Sequence, residues 1–221
     1  MKVSGIIFDC DGTVLDSMSI WGRIFNENAA KKGVVLTPDV REVMHVQHLA
    51  SKSMRVINDW FGFYEDSRDY VTEFYESVYA EYAAGTPLID GVREFVEEVR
   101  AAKIPYLIAS GTRSKEVWAG LRASGIDDLF MTVLSCEDLG VGKNHPFIYR
   151  YAQSALGVPK EETWVFEDEP CGLITAKAEG YRTVCIFNDH DGRDPEELKP
   201  YADVFSVGFR DVSLELLRSF E

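Results

Sequence analysis

Asp9 and Asp11 stand two residues apart in FDCDGTVLDS, directly after the apolar run Val3-Ser4-Gly5-Ile6-Ile7-Phe8. A buried strand does not ordinarily end on paired acids, because desolvating a carboxylate is costly. In extended backbone, residues i and i+2 share a face, so both carboxylates look into one site while Cys10 points away. Gly12 then lets the chain turn sharply. Asp9 and Asp11 with a further acid, Asp168, make a hard oxygen-ligand set suited to Mg²⁺, which takes carboxylates together with waters and substrate phosphate. A calcium loop is excluded, since a strand precedes D-x-D-G here and the full ligand pattern is missing.

Other polar groups follow later apolar runs. Ser110, Gly111 and Thr112 come after Ile104–Ala109, and Glu167 and Asp168 come after Thr163–Phe166. Lys143 lies in Gly140-Val141-Gly142-Lys143, downstream of Met131–Leu134. Each alone has an ordinary explanation: Ser110 as a helix cap, the acid pair at a helix N-terminus, Lys143 as a solvated loop residue. Together they gather at the carboxyl ends of strands, where open parallel sheets bind ligands. A metal, a carboxylate nucleophile, a lysine and a strand-end hydroxyl make a phosphoryl-transfer site, in which charge stabilisation dominates. Mg²⁺ and Lys143 would neutralise the transferring group, while Ser110 and nearby backbone amides such as that of Gly111 would position its oxygens.

The elements that hold these residues fall into two regimes. From about Ser17 to Ala83 the periodicity is helical throughout, with Met18, Trp21, Phe25 and Ala29 on one stripe and Tyr70, Phe74, Val78 and Tyr82 on another. Val40–Val46 and Lys52–Phe61 read as two shorter helices between them, and Gly85-Thr86-Pro87 marks a break. Beyond it strands and helices alternate, the pattern of a parallel sheet covered on both faces. The first strand belongs to that sheet. The expected fold is therefore α/β, a Rossmann-like parallel sheet core flanked by helices (1–15 and 86–221) with an inserted all-helical cap domain (16–85). Two hinges join them, near Asp16 and Gly85.

Composition bounds the partners. With 23 basic and 37 acidic residues the formal charge is −14, which repels phosphate backbones and anionic membranes at long range. Neither nucleic acid nor a membrane is expected as a partner; a small anionic substrate is not excluded, because a metal reverses the local field. No apolar stretch approaches the ~20 residues of a membrane span. Nothing at the N-terminus reads as a signal peptide, so the cytoplasm is expected. The four cysteines are widely spaced and read as reduced, mostly buried residues. His45, His48, His145 and His190 lack convincing metal partners. Asp189-His190-Asp191 reads either as a further loop at the ligand edge or as a surface turn.

Taken together, Asp9-Cys10-Asp11-Gly12-Thr13, Ser110 after YLIA, Lys143 in GVGKNHP and Glu167-Asp168 in WVFEDEPCG resemble the haloacid dehalogenase-like superfamily, in its helical-cap, β-phosphoglucomutase-like branch. The resemblance implies that Asp9 attacks phosphorus to form an aspartyl-phosphate. Asp11 would protonate the leaving oxygen, later activate water, and lend its backbone carbonyl to Mg²⁺. Asp168 would complete the metal site with Asp9, Glu167 would support it from behind, and the cap would select the substrate. Asp11 separates this chain from dehalogenases and phosphonatases, which resemble it but lack that acid.

Three departures stand out. Lys143-Asn144-His145-Pro146-Phe147 loses a proline and an acid common after the lysine, and Glu169 stands where many relatives have Ser or Ala. Val43–Ser51 lacks the Arg-x-x-Gly with which phosphoglucomutases grip a second phosphate, so hydrolysis is favoured over the alternative, a sugar phosphomutase. Response-regulator receivers share a similar residue set, but they have no use for a helical insertion after the first strand. The expected protein is a Mg²⁺-dependent phosphatase of a small phosphorylated metabolite, a monomer or weak homodimer. Trp21, Gln47, His48 and Lys52 are the candidate pocket residues of the cap.

Overall fold

Apolar runs with no polar alternation must be buried on both faces, and here they pair as parallel strands. The computed structural model describes residues 2–189 and 192–220. Its strands are β1 (Gly5–Phe8), β2 (Tyr106–Ser110), β3 (Val133–Ser135), β4 (Thr163–Glu167), β5 (Arg182–Ile186) and β6 (Val204–Ser206), in the order β3-β2-β1-β4-β5-β6. The chain winds outward from β1 to β3, then returns to the other side of β1 with β4. The strand order therefore reverses between β1 and β4, the crevice where such sheets hold ligands. Register brings Phe8 beside both Ile108 and Phe166, which sets the residues after β1, β2 and β4 along one edge.

Between β1 and β2 the described residues form only helices, and the first four build the cap: α1 (Met18–Lys31), α2 (Pro38–His45), α3 (Ala50–Phe61) and α4 (Ser67–Ala84). Pro38 and Asp39 open α2, and the Asp66 carboxylate caps α4 by accepting from the Arg68 N–H at 2.9 Å. Phe25 stacks on Phe74 at 4.9 Å and ties α1 to α4. The chain enters and leaves this cap through a short antiparallel contact. Asp16 donates its N–H to Pro87 at 2.8 Å, Ile89 donates to Val14 at 3.1 Å, and Leu15 bridges Leu88.

The remaining helices are α5 (Val92–Ala101), α6 (Ser114–Ala123), α7 (Cys136–Leu139), α8 (Phe147–Leu156), α9 (Pro170–Ala178), α10 (Pro195–Leu198) and α11 (Leu214–Ser219). One sheet face is closed by a cluster of rings. Phe8 lies at 5.0 Å from Phe166, and Phe166 stacks on Phe209 at 5.6 Å. All three are buried, each contributing about 1.5–3 kcal/mol through burial. The other face packs Ile7, Leu107 and Val165 against Ile148, Ala152 and Ala176.

Two readings shift. Met131, expected to open the third strand, is 93% exposed, and the strand starts at Val133. Phe130 takes the buried place instead, edge-on to Phe8 and Tyr106. The strand β6 and helix α11 were too short to show a period. His190 and Asp191 of the Asp189-His190-Asp191 segment lie outside the described residues.

Candidate active site

Asp9 follows β1 and donates its backbone N–H to the Phe166 carbonyl at 2.8 Å, which fixes it beside the end of β4. The chain then closes a tight loop. Val14 and Leu15 both donate to the Cys10 carbonyl at 2.8 Å, and Gly12 donates to Leu15 at 2.8 Å. Gly12 sits at φ +79°, and a Cβ there would collide with the Asp168 carboxylate. Glycine at this position is thus required twice, by conformation and by space.

Asp9, Glu167 and Asp168 come together as three buried carboxylates whose oxygens lie within 4.8 Å of one another. Lys143, carried by the loop between α7 and α8, reaches into them. Its ammonium pairs with Asp9 and, at 2.6 Å, with Glu167. Tyr149 on α8 donates its hydroxyl to Glu167 at 2.7 Å. Burial pushes the Asp9 carboxyl up to about 6, against the pull of Lys143. Burial likewise raises Glu167 to about 8 and lifts Asp168 well above the usual carboxylate range, with the neighbouring Asp9 charge adding to both. For Lys143 burial opposes the charge, yet Asp9 and Glu167 outweigh it and hold the ammonium protonated.

The cluster is short of positive charge. Both carboxylate oxygens of Asp168 and Oε2 of Glu167 are buried with no hydrogen-bond partner. Buried acids left unpaired are expensive, and a divalent cation is the group that would satisfy them. The residues present fit Mg²⁺: hard oxygen donors beside an open cavity with room for water and phosphate.

The Asp11 carboxylate is not part of this cluster. It turns toward the cap and the end of β2, where hydroxyls surround it. Ser17 donates to Oδ1 at 2.6 Å, and Tyr82 on α4 donates to the same oxygen. Thr112 donates to Oδ2 at 2.7 Å and Ser110 at 3.3 Å. The i, i+2 spacing does bring Asp9 and Asp11 to one cavity, but the turn at Gly12 splits their carboxylates between two environments. The third carboxylate of the cluster is that of Glu167, not that of Asp11 as the i, i+2 spacing predicts; the resemblance implies only the Asp11 backbone carbonyl at the metal.

A cavity of about 320 Å³ opens over these groups, between sheet edge and cap. Gly111 and Thr112 line it, whereas Ser110 lies behind them, buried, with its hydroxyl accepting from the Thr112 N–H at 2.9 Å. Glu169, the departure after Asp168, also lines it. Of the cap candidates, Trp21 and His48 line the cavity; Gln47 and Lys52 do not, and Gln47, in the turn after α2, instead donates to the Val43 carbonyl. Arg41 lines the cavity too and was missed, because an arginine on a polar helix face looks like surface.

Residues 3–180 match the family described as haloacid dehalogenase-like hydrolase. The chain belongs to that family. It is an enzyme of it, and phosphatases stand among its relatives. It is 26% identical over 195 residues to a phosphorylated carbohydrates phosphatase of Thermotoga maritima, covering 85% of this chain and 88% of that one. It is 28% identical over 193 residues to hexitol phosphatase A of Escherichia coli, covering 84% of each. Among solved structures, CbbY from Rhodobacter sphaeroides in complex with phosphate superposes with a TM-score of 0.82 at 24% identity, covering 98% of this chain and 99% of that one. That likeness speaks for the fold, a parallel core with a helical cap.

Proposed function

We propose that this chain is a Mg²⁺-dependent phosphatase that cleaves a small phosphorylated metabolite through an aspartyl-phosphate. The observation that carries it is the division of labour at the strand-order reversal: Asp9 held by Lys143 beside unpartnered Asp168, with Asp11 held apart by hydroxyls. Residues 1–15 and 86–221 would act as the catalytic core and 16–85 as the cap that closes over it.

The roles follow from the contacts. Asp9, kept ionised by Lys143, attacks phosphorus and forms a P–O bond as the ester P–O bond breaks. Asp11 gives a proton to the departing oxygen, then takes one from the water that attacks the aspartyl-phosphate and frees Asp9. Its ring of hydroxyl donors orients the carboxyl group for both steps. Lys143 and the amides after Ser110 hold the phosphoryl oxygens. Asp9 and Asp168, with the Asp11 carbonyl, would hold Mg²⁺, which supplies neutralisation of phosphoryl charge; Glu167 would brace Lys143 and the cluster. The soluble, small-molecule character of the reading is supported by the cavity size and the acidic surface. Relatives named for carbohydrate and hexitol phosphates make phosphorylated carbohydrates the first compounds to assay.

The test is a phosphometabolite panel with purified protein and Mg²⁺, following phosphate release. Turnover of at least one ester, lost in Asp9→Asn and on chelation, is expected. No release from any ester, together with equal binding of all of them by Asp9→Asn, would sink the reading.

A further inference from the structure

The cap wall of the cavity is largely apolar. Trp21 is a fixed plate: its indole N–H donates to the Tyr82 hydroxyl at 2.8 Å, and its ring packs against Phe25 at 5.8 Å and Phe74 at 6.0 Å. Phe25, Met18, Met44 and Leu49 continue the same wall. The polar groups among them are already engaged. Ser53 lines the cavity, yet its hydroxyl donates to the Met44 carbonyl at 2.8 Å, and the Trp21 N–H is taken by Tyr82. A polyol hydroxyl laid against this wall would exchange water for an apolar side chain without a new hydrogen bond, which is unfavourable.

The polar groups that remain are cationic or cationisable and lie on exposed positions of the wall. Arg41 and His45 are four residues apart on α2 and so share a helix face; His48 follows in the next loop. Asn26 accepts from the Arg41 guanidinium and steadies it. Among the described residues the cap contributes no acid to the cavity, in a protein whose formal charge is −14.

Resting on the phosphatase reading, we infer that the ester carries a flat, aromatic body that lies on Trp21 and an anionic far end that meets Arg41 and His45. The class is an aryl or arylmethyl phosphate with a carboxylate away from the phosphate. Aromatic bodies gain offset or edge-on stacking on a rigid ring beyond what burying their area gives. A carboxylate on Arg gains a charge-assisted bond that a neutral terminus cannot make.

The experiment compares 4-carboxybenzyl phosphate, benzyl phosphate and sorbitol 6-phosphate, whose leaving groups are all primary alcohols. Their binding to Asp9→Asn in Mg²⁺ is measured by calorimetry, and their turnover by the wild-type enzyme is measured separately. Binding is expected to fall in the order given, with at least about tenfold between the first and second, the worth of one charge-assisted bond. In Asp9→Asn/Arg41→Gln the ratio between the two benzyl esters should collapse toward one. Sorbitol 6-phosphate binding as tightly as the benzyl esters, or a ratio untouched by Arg41→Gln, overturns the inference and leaves the phosphatase reading standing. Absence of turnover for every ester counts against that reading alone, because the binding order decides the inference independently.

Discussion

The hydroxyl of Tyr82, near the end of α4, donates to the carboxylate of Asp11, just beyond β1, and also accepts from Trp21. The cap thus touches the proposed acid–base group directly. Replacing Tyr82 by Phe keeps the ring in its buried place and removes the hydroxyl, the donor to Asp11 and the acceptor for Trp21. One hydrogen bond to a charged group is worth about 1.5–3 kcal/mol. Since Ser17 and Thr112 still hold Asp11, part of that will be lost as misorientation, and kcat should fall about tenfold with KM little changed. Steady-state kinetics check this; an unchanged kcat would show that Ser17 and Thr112 suffice.

The acid cluster ties stability to pH and to metal. Asp9 is raised to about 6 from 3.8 and Glu167 to about 8 from 4.5, burial being the main cause in each. Raised carboxyls bind more protons folded than unfolded, so this cluster's contribution to metal-free stability is fully present below the unfolded values and is lost as pH rises through the folded ones. Thermal denaturation should show Mg²⁺ stabilising more at about pH 8.5 than at about pH 5.5, since the cation acts on the ionised cluster. Asp168→Asn removes a buried, unpartnered acid; its metal-free protein should melt higher than wild type at pH 8.5, and Mg²⁺ should no longer shift it. A larger Mg²⁺ shift at the lower pH contradicts the account.

The sheet and the residues at its edge were legible because strand runs are short, apolar and end on polar groups that burial does not otherwise tolerate. Asp9, Lys143, Glu167 and Asp168 do lie together at that edge. What pairs with Asp11 was not legible. Tyr82 lies 71 residues away, on a stripe that looks like helix core, and only the folding of α4 back onto the loop after β1 brings its hydroxyl there. Tyr149 is similar: within α8 it reads as a packing residue, yet its hydroxyl serves Glu167. Periodicity tells which face of a helix is buried, not which polar tip on that face finds a charge.

Gly142 marks where the cap loop rests on the core. A Cβ there would come within 2.8 Å of both the Cβ and the carbonyl oxygen of His48. The neighbouring contact is the Ser51 N–H to Glu137 at 2.9 Å. Gly142→Ala should prop the cap away from the sheet edge, raising KM about tenfold while the core melts within a few degrees of wild type. Small-angle scattering should register the larger radius of gyration. A KM equal to that of the wild type would mean the loop yields locally.

Lys143 answers two buried carboxylates at once, so its removal should be felt in folding as well as in catalysis. Breaking a buried pair by deleting one partner costs about 3–5 kcal/mol, because the other charge stays buried and uncompensated. Lys143→Met, close to the lysine stem in shape, should therefore abolish turnover and lower the denaturation midpoint of the metal-free protein most sharply at alkaline pH, above the Glu167 value of about 8. Adding Glu167→Gln to it removes one of the stranded acids. Stability should recover by at least about 1 kcal/mol relative to Lys143→Met, while activity stays absent, a coupling that a double-mutant cycle on denaturant midpoints measures directly. Additive effects in that cycle would show that Lys143 and Glu167 act independently, and that the ammonium stabilises the site through Asp9 alone.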